Sequence, residues 1–361
     1  MHNRMKGPWL KTFFFQIATD QTRSVVAFVL RPILLLCSVI YFVLVRCIVF
    51  LYQKNVLKRY RLPRKVISVG NITLGGTGKT PLVELVVQLL KENQIKPAIL
   101  IRGYMNPSAA GNRFESDEGM LLKDSSGVPV IVGSNRFRLA TEFLKNNSVD
   151  AFVMDDGFQH WRLARDLDIV VINAVNPFGN GFLLPRGILR EPLSALLRAD
   201  VFVLSKIPSN REYVDKLKSK LAAINPRCLI VEAVHRPMGL QDLRSSKVFD
   251  LSFVKGKTIC SFCSIGDPDS FAALLKALQP LSIKNFLFID HYTYEQNDIS
   301  MLNNYCRDNS IRTIVTTQKD AVKLDGGAFD NAITVLALNI MMEIVDGRQK
   351  LMDKVLKVCR R

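Results

Sequence analysis

The sequence predicts an α/β protein: a doubly wound parallel sheet, a second and smaller α/β domain, and an N-terminal membrane-associated helix. Short β-rich segments alternate with helical ones along most of the 361 residues. That alternation is typical of a parallel sheet with helices on both faces. A glycine-rich turn joins one of these strands to a helix, and a long apolar segment flanked by basic residues lies near the N-terminus.

The alternating elements fall into two groups. Strands are predicted at short β-branched or apolar runs, and helices where apolar residues recur every three or four positions. The first group comprises strands Val66–Val69, Ala98–Ile101, Pro129–Val132, Ala151–Met154, Ile169–Ile172, Val201–Leu204 and Leu229–Val231 with helices Pro81–Glu92 and Phe137–Asn146; the second comprises strands Thr258–Phe262, Asn285–Ile289, Arg312–Thr316 and Thr334–Leu338. The polar segment Val234–Asp250 is expected to connect them. The expected domains are therefore 1–55, 56–240 and 241–361.

Basic residues are concentrated around the apolar segment. Of the formal net charge of +17, +11 arises in residues 1–65, where twelve Lys and Arg residues stand against one acid, Asp20. Nucleic-acid-binding proteins carry such residues on a folded face, often with aromatic residues between them. The distribution here favours anionic lipid headgroups instead. The expected partner is a membrane surface and not a nucleic acid, and the sequence predicts no oligomeric state.

The apolar segment runs from Ile33 to Tyr52 and is interrupted only by Arg46. With Val25–Leu30 before it, it is just long enough to cross a bilayer, which takes about 20 residues. Basic residues flank both ends, so the positive-inside rule gives no orientation. Arg31 and Arg46 can extend their charges to the interface. A spanning helix and a helix lying in the membrane plane are both compatible with the sequence.

The glycine-rich turn at 69–81 reads VGNITLGGTGKTP. Glycines let successive backbone N–H groups turn toward a phosphate, and the following helix adds its positive N-terminal dipole. Lys79 is expected to reach the β- and γ-phosphates of ATP, and the Thr80 hydroxyl to ligate Mg²⁺. Thr73 departs from the usual P-loop pattern, which has a glycine there. The predicted nucleotide-binding residues are Gly75, Gly76, Thr77, Gly78, Lys79 and Thr80.

Two acids, Asp155 and Asp156, end the apolar strand at 151–154. Such a pair is weak evidence alone, because aspartate commonly begins a turn. After a P-loop it becomes a candidate for the Mg²⁺-binding carboxylates of a nucleotide site. His160, four residues later, would by itself more often be structural than catalytic.

Five separated motifs are more specific than a P-loop alone. They are VGNITLGGTGKTP, IRGY at 101–104, DDGFQHWRLARDLDIVVIN at 155–173 with GNGFLLPRGILREPLSALLRAD at 179–200, IDHY at 289–292, and TTQKD at 316–320. In this order, over about residues 66–323, the chain resembles the tetraacyldisaccharide 4′-kinase family of lipid A biosynthesis. The resemblance implies transfer of the γ-phosphoryl group of ATP to the 4′-hydroxyl of a tetraacylated glucosamine disaccharide 1-phosphate. It also implies the inner membrane of a Gram-negative-type bacterium, with the catalytic domains on the cytoplasmic side.

The resemblance also implies roles by position. Asp155 and Asp156 correspond to the metal-site acids. The family's Gly-Asp-Glu-Pro element is best matched by 116–119, where Asp117 is the expected catalytic carboxylate working with His291, and Glu118 a Mg²⁺ contact. The loop before it, 105–116, is shorter than in the family, and the alternative is a solvated pair of loop acids and a structural histidine. The expected substrate contacts are Asn71, Arg102, Tyr104, Gln159 and His160.

Two further segments have open roles. The loop Pro185–Ile188 departs from the family pattern and is expected to contact the sugar or its phosphate, so that Arg186 affects substrate fit. Thr317–Asp320 either grips a nucleotide base or substrate phosphate or forms a surface turn.

Two other functions remain as alternatives. A membrane-anchored P-loop ATPase that drives a partner would hydrolyse ATP steadily without lipid. An interaction protein with a relict nucleotide site would show no turnover, and the intact Gly78-Lys79-Thr80 argues against it.

Overall fold

The structure is a computed structural model that describes residues 3–4, 16–22, 24–103 and 117–360. Tyr104 and the loop 105–116 lie outside these residues. The chain forms two compact units: a larger one containing the described residues from 16 to 234 together with 342–360, and a smaller one containing 235–341 and strand β1 (Asn3–Arg4). Both contain strands and helices, with mostly parallel pairing, which confirms the predicted fold class.

The larger unit is built on a parallel sheet. Its strands are β2 (Lys65–Asn71), β3 (Pro97–Ile101), β4 (Val130–Val132), β5 (Ala151–Asp155), β6 (Leu167–Asn173), β7 (Val201–Ser205) and the first half of β8 (Leu229–Asp242). Their order across the sheet is β4-β3-β5-β2-β6-β7-β8, and neighbouring strands run parallel. The helices are α1 (Val25–Gln53), α2 (Lys79–Glu92), α3 (Asp117–Ser126), α4 (Arg136–Asn146), α5 (Arg211–Ile224) and α9 (Arg348–Cys359).

The burial of the central strands explains why their sequences are almost continuously apolar. Every residue of β3, β5 and β7 is buried, as expected for parallel strands covered on both faces. The strand order reverses next to β2, because the chain continues to β3 on one side and later adds β6 on the other. In open α/β sheets, ligands bind at the carboxyl ends of the strands where the order reverses. The turn after β2 occupies that position.

The smaller unit has its own strands and apolar cores. It contains β10 (Thr258–Cys263), β11 (Ser282–Leu287), β12 (Thr313–Thr317) and most of β13 (Thr334–Asp346), with α6 (Pro268–Ala277), α7 (Gln296–Asp308) and α8 (Gln318–Ala321). The order is β1-β11-β10-β12-β13-β8. The pairs β1–β11, β11–β10, β10–β12 and β12–β13 are parallel. Two apolar clusters, one around Phe262 and one around Val315, fill this unit.

The polar segment Val234–Asp250, predicted as a connection, begins where the chain passes from the larger unit to the smaller one. Much of it is strand: the second half of β8 pairs antiparallel with β9 (Val248–Phe249). A Cβ at Gly239 would lie 2.8 Å from the Val248 side chain, so glycine permits the close pairing. The chain passes between the units after residue 234 and again after residue 341. Residues 342–360, assigned by sequence to the C-terminal domain, belong by contact to the larger unit.

The predicted apolar segment lies within one helix, α1, which continues through Pro32. Its first turn is capped by Ser24, whose hydroxyl accepts a hydrogen bond from the backbone N–H of Ala27 at 3.2 Å. Within the described parts of the chain it is the one helix long and apolar enough to cross a membrane, judged by length and composition. Most of its surface is exposed, including Val25 at 80% and Phe28 at 75%.

Candidate active site

The P-loop joins the carboxyl end of β2 to α2. Gly78 caps the helix at φ 89°, and Gly75 has φ 104°. A residue with a Cβ adopts a left-handed conformation at a cost of about 1–2 kcal/mol, so these are the positions where the turn needs glycine. Thr73, the departure from the usual pattern, forms an isolated antiparallel bridge with Leu189. Threonine favours such an extended conformation, and the substitution therefore suits the turn.

The two acids emerge beside the P-loop because their strands are neighbours. In the register of the sheet, Val69 of β2 pairs with Asp155 of β5. The Nζ atom of Lys79 lies 3.5 Å from Oδ1 of Asp156. The backbone N–H of Asp156 donates to Oδ1 of Asp155 at 2.8 Å. The structure thus brings together the P-loop lysine and the acid pair that the sequence singled out separately.

The two carboxyl groups are in different electrostatic states. Burial raises the pKa of Asp155 to about 6; the attraction of Lys79 opposes this, and the negative charges of Asp156 and Glu118 add to it. Burial also acts to raise the pKa of Asp156, but the positive charges of Lys79 and Arg190 outweigh it and hold that pKa below its ordinary value. Neighbouring positive charges therefore offset the negative charge of Asp156 well and that of Asp155 poorly. A bound cation would stabilise Asp155.

Arg190 is a site residue that the sequence did not single out. Its Nη1 donates to both carboxylate oxygens of Asp156, at 2.9 and 3.0 Å. Its backbone N–H donates to the carbonyl of Ile72, at the start of the P-loop, at 2.8 Å. Arg190 lies in a segment that carries the family resemblance, but nothing local distinguishes it from Arg186 or Arg198 in the same segment.

Arg186, which was expected to affect the fit of the sugar, is bound to the N-terminal part of the larger unit. Its guanidinium pairs with Asp20 at 2.9 Å, and its side chain is 12% exposed. The side-chain amide of Asn180 donates to the carbonyl of Ala18 at 2.9 Å and to Asp20 at 3.1 Å. These contacts tie the loop that contains Arg186 to residues 18–20.

The side chains of Asn71 and Gln159 stabilise the P-loop through hydrogen bonds. The Asn71 side chain is fully buried, and its Nδ2 donates to the carbonyl of Thr73 at 2.8 Å and the hydroxyl of Thr77 at 3.2 Å. Gln159 Nε2 donates to the carbonyl of Asn71 at 3.0 Å. Within the described residues, Asn71 Oδ1 and Gln159 Oε1 are buried without a hydrogen-bond donor. The predicted contacts of both side chains with substrate stay predictions.

His160 lies in a positively charged environment. Burial lowers its pKa to about 4, and the charges of Arg136, Arg165 and Arg102 act in the same direction. The imidazole is therefore neutral at neutral pH and suited to hydrogen bonding. Arg102 follows β3 and is exposed, while Tyr104 lies outside the described residues. The roles of Arg102, Tyr104 and His160 in substrate binding stay predictions.

Asp117 and Glu118 lie in the first turn of a helix, α3, and both are half-buried. The positive end of the helix dipole stabilises carboxylates there. Glu118 is near enough to contribute to the raised pKa of Asp155. Glu118 thus lies within electrostatic range of the acid pair, and the predicted roles of Asp117 and Glu118 stay predictions.

His291 belongs to the smaller unit, whereas Asp117 belongs to the larger one, and their predicted pairing stays a prediction. His291 has φ 62°, an uncommon conformation for a residue with a Cβ. Its Nε2 lies 3.3 Å from Nζ of Lys319, which also pairs with Asp290 at 3.3 Å. His291 therefore lies in a charged cluster at the end of the unit's central strands.

Within the segment Thr317–Asp320, the residues have different roles. Asp320 has no exposed surface, accepts hydrogen bonds from the backbone N–H and hydroxyl of Ser264, and pairs with Lys323 at 3.3 Å. The Thr317 hydroxyl donates to Asp320 at 2.7 Å. Asp320 is thus a structural residue, buried rather than in a surface turn. Lys319 instead contacts the His291 cluster.

The predicted metal ligands supply oxygen atoms: the Thr80 hydroxyl and the carboxylates of Asp155, Asp156 and Glu118. In the stretches 16–22, 24–103 and 117–360, no three His, Cys, Asp or Glu side chains converge into a cluster that would hold a metal by itself. Mg²⁺ commonly binds through one or two carboxylates together with substrate phosphates. The donor set fits a Mg²⁺ ion held largely by a bound nucleotide.

Known proteins resemble this chain over most of its length. The family model of tetraacyldisaccharide-1-phosphate 4′-kinase matches residues 30–360. The tetraacyldisaccharide 4′-kinase of Halothermothrix orenii is 36% identical over 340 residues, which is 87% of this chain and 88% of that protein. The one from Syntrophus aciditrophicus is 35% identical over 294 residues, 76% of this chain and 79% of that protein.

A solved structure has the same fold. The crystal structure of LpxK from Aquifex aeolicus in complex with ATP matches with a TM-score of 0.67 and 28% identity, covering 91% of this chain and 99% of that one. The family model reaches from α1 to α9 and includes every motif on which the resemblance was based. The chain is therefore a member of the tetraacyldisaccharide 4′-kinase family.

Proposed function

We propose that this chain transfers the γ-phosphoryl group of ATP to the 4′-hydroxyl of a tetraacylated disaccharide 1-phosphate. The observation that carries the proposal is the meeting of Lys79, Asp155 and Asp156 at the P-loop, in a chain that belongs to a kinase family over nearly its whole length. Phosphoryl transfer needs little covalent chemistry from the protein, and positioning and charge stabilisation supply most of the rate.

ATP would bind with its phosphates at the P-loop and the N-terminus of α2. Lys79 would then turn from Asp156 to the β- and γ-phosphates. Arg190 lowers the free-energy cost of this movement, because it binds both oxygens of Asp156 and keeps that carboxylate paired when Lys79 leaves. The lysine would neutralise charge that develops on the transferred group.

Mg²⁺ would be held by Thr80 and Asp155, with Asp156 and Glu118 close by, and by the phosphates. A bound Mg²⁺ ion supplies positive charge to the phosphoryl oxygens during transfer. Asp155 suits this role because its pKa of about 6 reflects burial that Lys79 only partly offsets.

The acceptor hydroxyl has a high pKa, so a base that takes its proton during transfer increases the rate. We assign this role to Asp117, with His291 orienting it. Gln159 and the neutral His160 would bind the sugar through hydrogen bonds. The arginines that lower the pKa of His160 also give this side of the site a positive potential, which suits a phosphorylated lipid headgroup.

The direct test uses full-length protein with γ-labelled ATP, Mg²⁺ and tetraacyldisaccharide 1-phosphate in mixed micelles. Label is expected in the lipid, at the 4′-position, with little ATP hydrolysis when lipid is left out. Steady lipid-independent hydrolysis with no labelled lipid would favour the ATPase alternative, which membership of a kinase family does not favour.

We also propose that α1 lies in the plane of the membrane surface. Its buried or half-buried residues recur along its length at helical spacing and include Ala27, Leu34, Ser38, Tyr41, Val45, Val49 and Tyr52. They form one stripe, and near the end of the helix the Tyr52 ring stacks on Trp161, with centroids 6.5 Å apart. A helix docked along its whole length would have to leave its domain to span a bilayer. Its opposite apolar face can enter the lipid as it stands.

Two natural cysteines allow this placement to be measured. Cys37 and Cys47 are both exposed on α1 and lie about 15 Å apart along its axis. Each cysteine would be labelled with a fluorophore in a variant in which the other cysteine is changed to serine. The depth of the fluorophore in the bilayer would then be measured from its quenching by lipids that carry quenchers at different depths. Similar depths are expected. A difference of about 15 Å would indicate a spanning helix.

The exposed basic residues after α1 are expected to hold the chain to anionic headgroups. Changing Lys54, Lys58 and Arg59 to glutamine should weaken binding to anionic vesicles by about 1 kcal/mol per charge, and high salt should reduce the difference. The same number of charges removed at Lys216, Lys255 and Lys276 serves as the control.

The location of the protein follows from its phosphoryl donor. Because the donor is ATP, we infer that the chain lies at the cytoplasmic face of the inner membrane of a Gram-negative-type bacterium.

A further inference from the structure

The polar side chains of α1 bind one particular segment of the larger unit, Phe182–Arg190, called here the bridging segment. The Ser38 hydroxyl donates to the carbonyl of Leu183 at 2.8 Å and accepts from the backbone N–H of Arg186 at 2.9 Å. The Tyr41 hydroxyl donates to the carbonyl of Arg190 at 2.9 Å. An apolar helix thus places two of its few polar groups on the backbone of the same short loop.

The other side of the bridging segment is bound to the P-loop. The backbone N–H of Arg190 donates to the carbonyl of Ile72, and the N–H of Leu74 donates to the carbonyl of Ile188, both at 2.8 Å. Between these two bonds, Thr73 and Leu189 form an antiparallel bridge. The bridging segment therefore lies between α1 and the turn that binds phosphate.

Arg190 connects these contacts to the acids. Its carbonyl accepts from Tyr41, its N–H donates to the P-loop, and its guanidinium binds both oxygens of Asp156. The Tyr41 ring packs against the apolar cluster that contains Ile72 and Leu189. The backbone of Arg190 is thus fixed from two directions, and its side chain sets the position of an acid 3.5 Å from Lys79.

We propose that Ser38 and Tyr41 are positioning residues for phosphoryl transfer: by docking α1 they fix the bridging segment, and with it Arg190 and Asp156, at the P-loop. The inference rests on the proposed kinase function and adds a role for the helix besides membrane binding. A misplacement of about 1 Å in a phosphoryl-transfer site can cost about 10²-fold in rate. Small shifts of the bridging segment are therefore expected to change kcat.

The test begins with Tyr41→Phe, which removes one hydroxyl and keeps the helix apolar. A fall in kcat of about five- to tenfold is expected for an unsatisfied carbonyl in this position, with KM for ATP and lipid within about twofold of wild type. Vesicle binding should not change. Ser38→Ala should act in the same direction. The matched control is Tyr52→Phe, which loses a hydroxyl from the same helix and keeps its ring on Trp161.

A double-mutant cycle tests the route through Arg190. In an Arg190→Met background, Tyr41→Phe should lower kcat by less than about twofold further, because residues that act through one another are non-additive. Full activity of both Tyr41→Phe and Ser38→Ala would overturn the inference. A double variant whose fall in kcat is the product of the two single falls would also overturn it. So would a fall in kcat that is accompanied by weaker vesicle binding and a lower Tm. Absence of lipid phosphorylation by the wild-type protein would instead overturn the proposed function.

Discussion

Asp155 is the last residue of the parallel strand β5, and Asp320 lies in the short helix α8 that directly follows the parallel strand β12, yet the surroundings of these two acids differ. In the smaller unit, Asp320 accepts hydrogen bonds from Ser264 and Thr317. It also pairs with Lys323, whose side chain is 7% exposed. In the larger unit, Asp155 accepts the N–H of Asp156, and burial outweighs the attraction of Lys79 to raise its pKa to about 6.

We propose that this difference separates a structural acid, Asp320, from a functional one, Asp155. A buried charge that the fold satisfies completely contributes to the native state and has no capacity left for a ligand. A buried carboxyl group with a raised pKa in a cleft is typical of a site that a ligand completes. On this proposal the same residue type has opposite roles in the two units, and four predictions test the distinction.

The largest effect is expected on activity in the larger unit. Lys79→Ala should lower phosphoryl transfer by about 10³-fold or more, because the charge that stabilises the transferred group is lost. The folded state should survive, since Asp156 keeps Arg190 as its partner. Lys91→Ala on the same helix is the control, and its activity should stay near wild type. Near wild-type turnover of Lys79→Ala at saturating ATP would contradict the P-loop assignment.

Asp117 tests whether a third acid, at the start of a helix, takes part in chemistry. Asp117→Asn should lower turnover by about 10²–10⁴-fold if the carboxylate is the base, with little change in ATP affinity. His291→Ala should have an effect of the same kind, and the double variant should be little worse than either. An Asp117→Asn enzyme with full activity would move the base to another group, with Asp156 the next candidate.

Asp320 should matter for stability instead. Asp320→Ala removes the carboxylate that opposes the charge of buried Lys323 and accepts the hydrogen bonds of Ser264 and Thr317, and the free energy of unfolding should fall by about 3–5 kcal/mol. The control is Asp290→Asn in the same unit, which breaks a partly exposed pair with Lys319 and should cost less than about 1 kcal/mol. Denaturant unfolding followed by circular dichroism measures both. Equal effects would mean that the Asp320 network contributes no more than a surface pair.

Asp155 should show the opposite dependence of stability on pH from an ordinary structural acid. Its pKa is about 6 in the folded state against 3.8 as the reference, so the folded state binds more protons between these values. Stability should therefore fall as pH rises through this range, by about 3 kcal/mol at most. Asp155→Asn should remove this dependence and raise the free energy of unfolding at pH 8, measured without nucleotide or Mg²⁺.

Asp156→Asn provides the internal comparison for that experiment. The pKa of Asp156 is lowered by Lys79 and Arg190, which outweigh burial, so its charge stabilises the fold and its loss should destabilise the protein at pH 8. If both variants changed stability in the same direction, the two acids would not be in the different electrostatic states inferred here.

Local patterns predicted much of the fold. The strands from β2 to β7 and both predicted helices of the larger unit are present, because the period of apolar residues reports directly which faces are buried. Strand β8 was only partly found. Its second half contains Pro237 and Gly239 and half-buried polar residues, so its pairing with β9 depends on a neighbour and not on its own composition.

The sequence by itself determined the P-loop, the acid pair after β5 and the apolar helix, since each is specified by residues adjacent in the chain. Only the tertiary structure decided which polar groups meet. The hydrogen bond from Arg190 to Asp156 joins residues 34 positions apart in the chain. The bonds from Ser38 to Leu183 and from Tyr41 to Arg190 join residues 145 and 149 positions apart. A hydrogen bond depends on distance in space, and residue spacing along the chain does not report it. The burial and complete pairing of Asp320, and the poorly compensated charge of Asp155, were set in the same way by how the strands and helices pack.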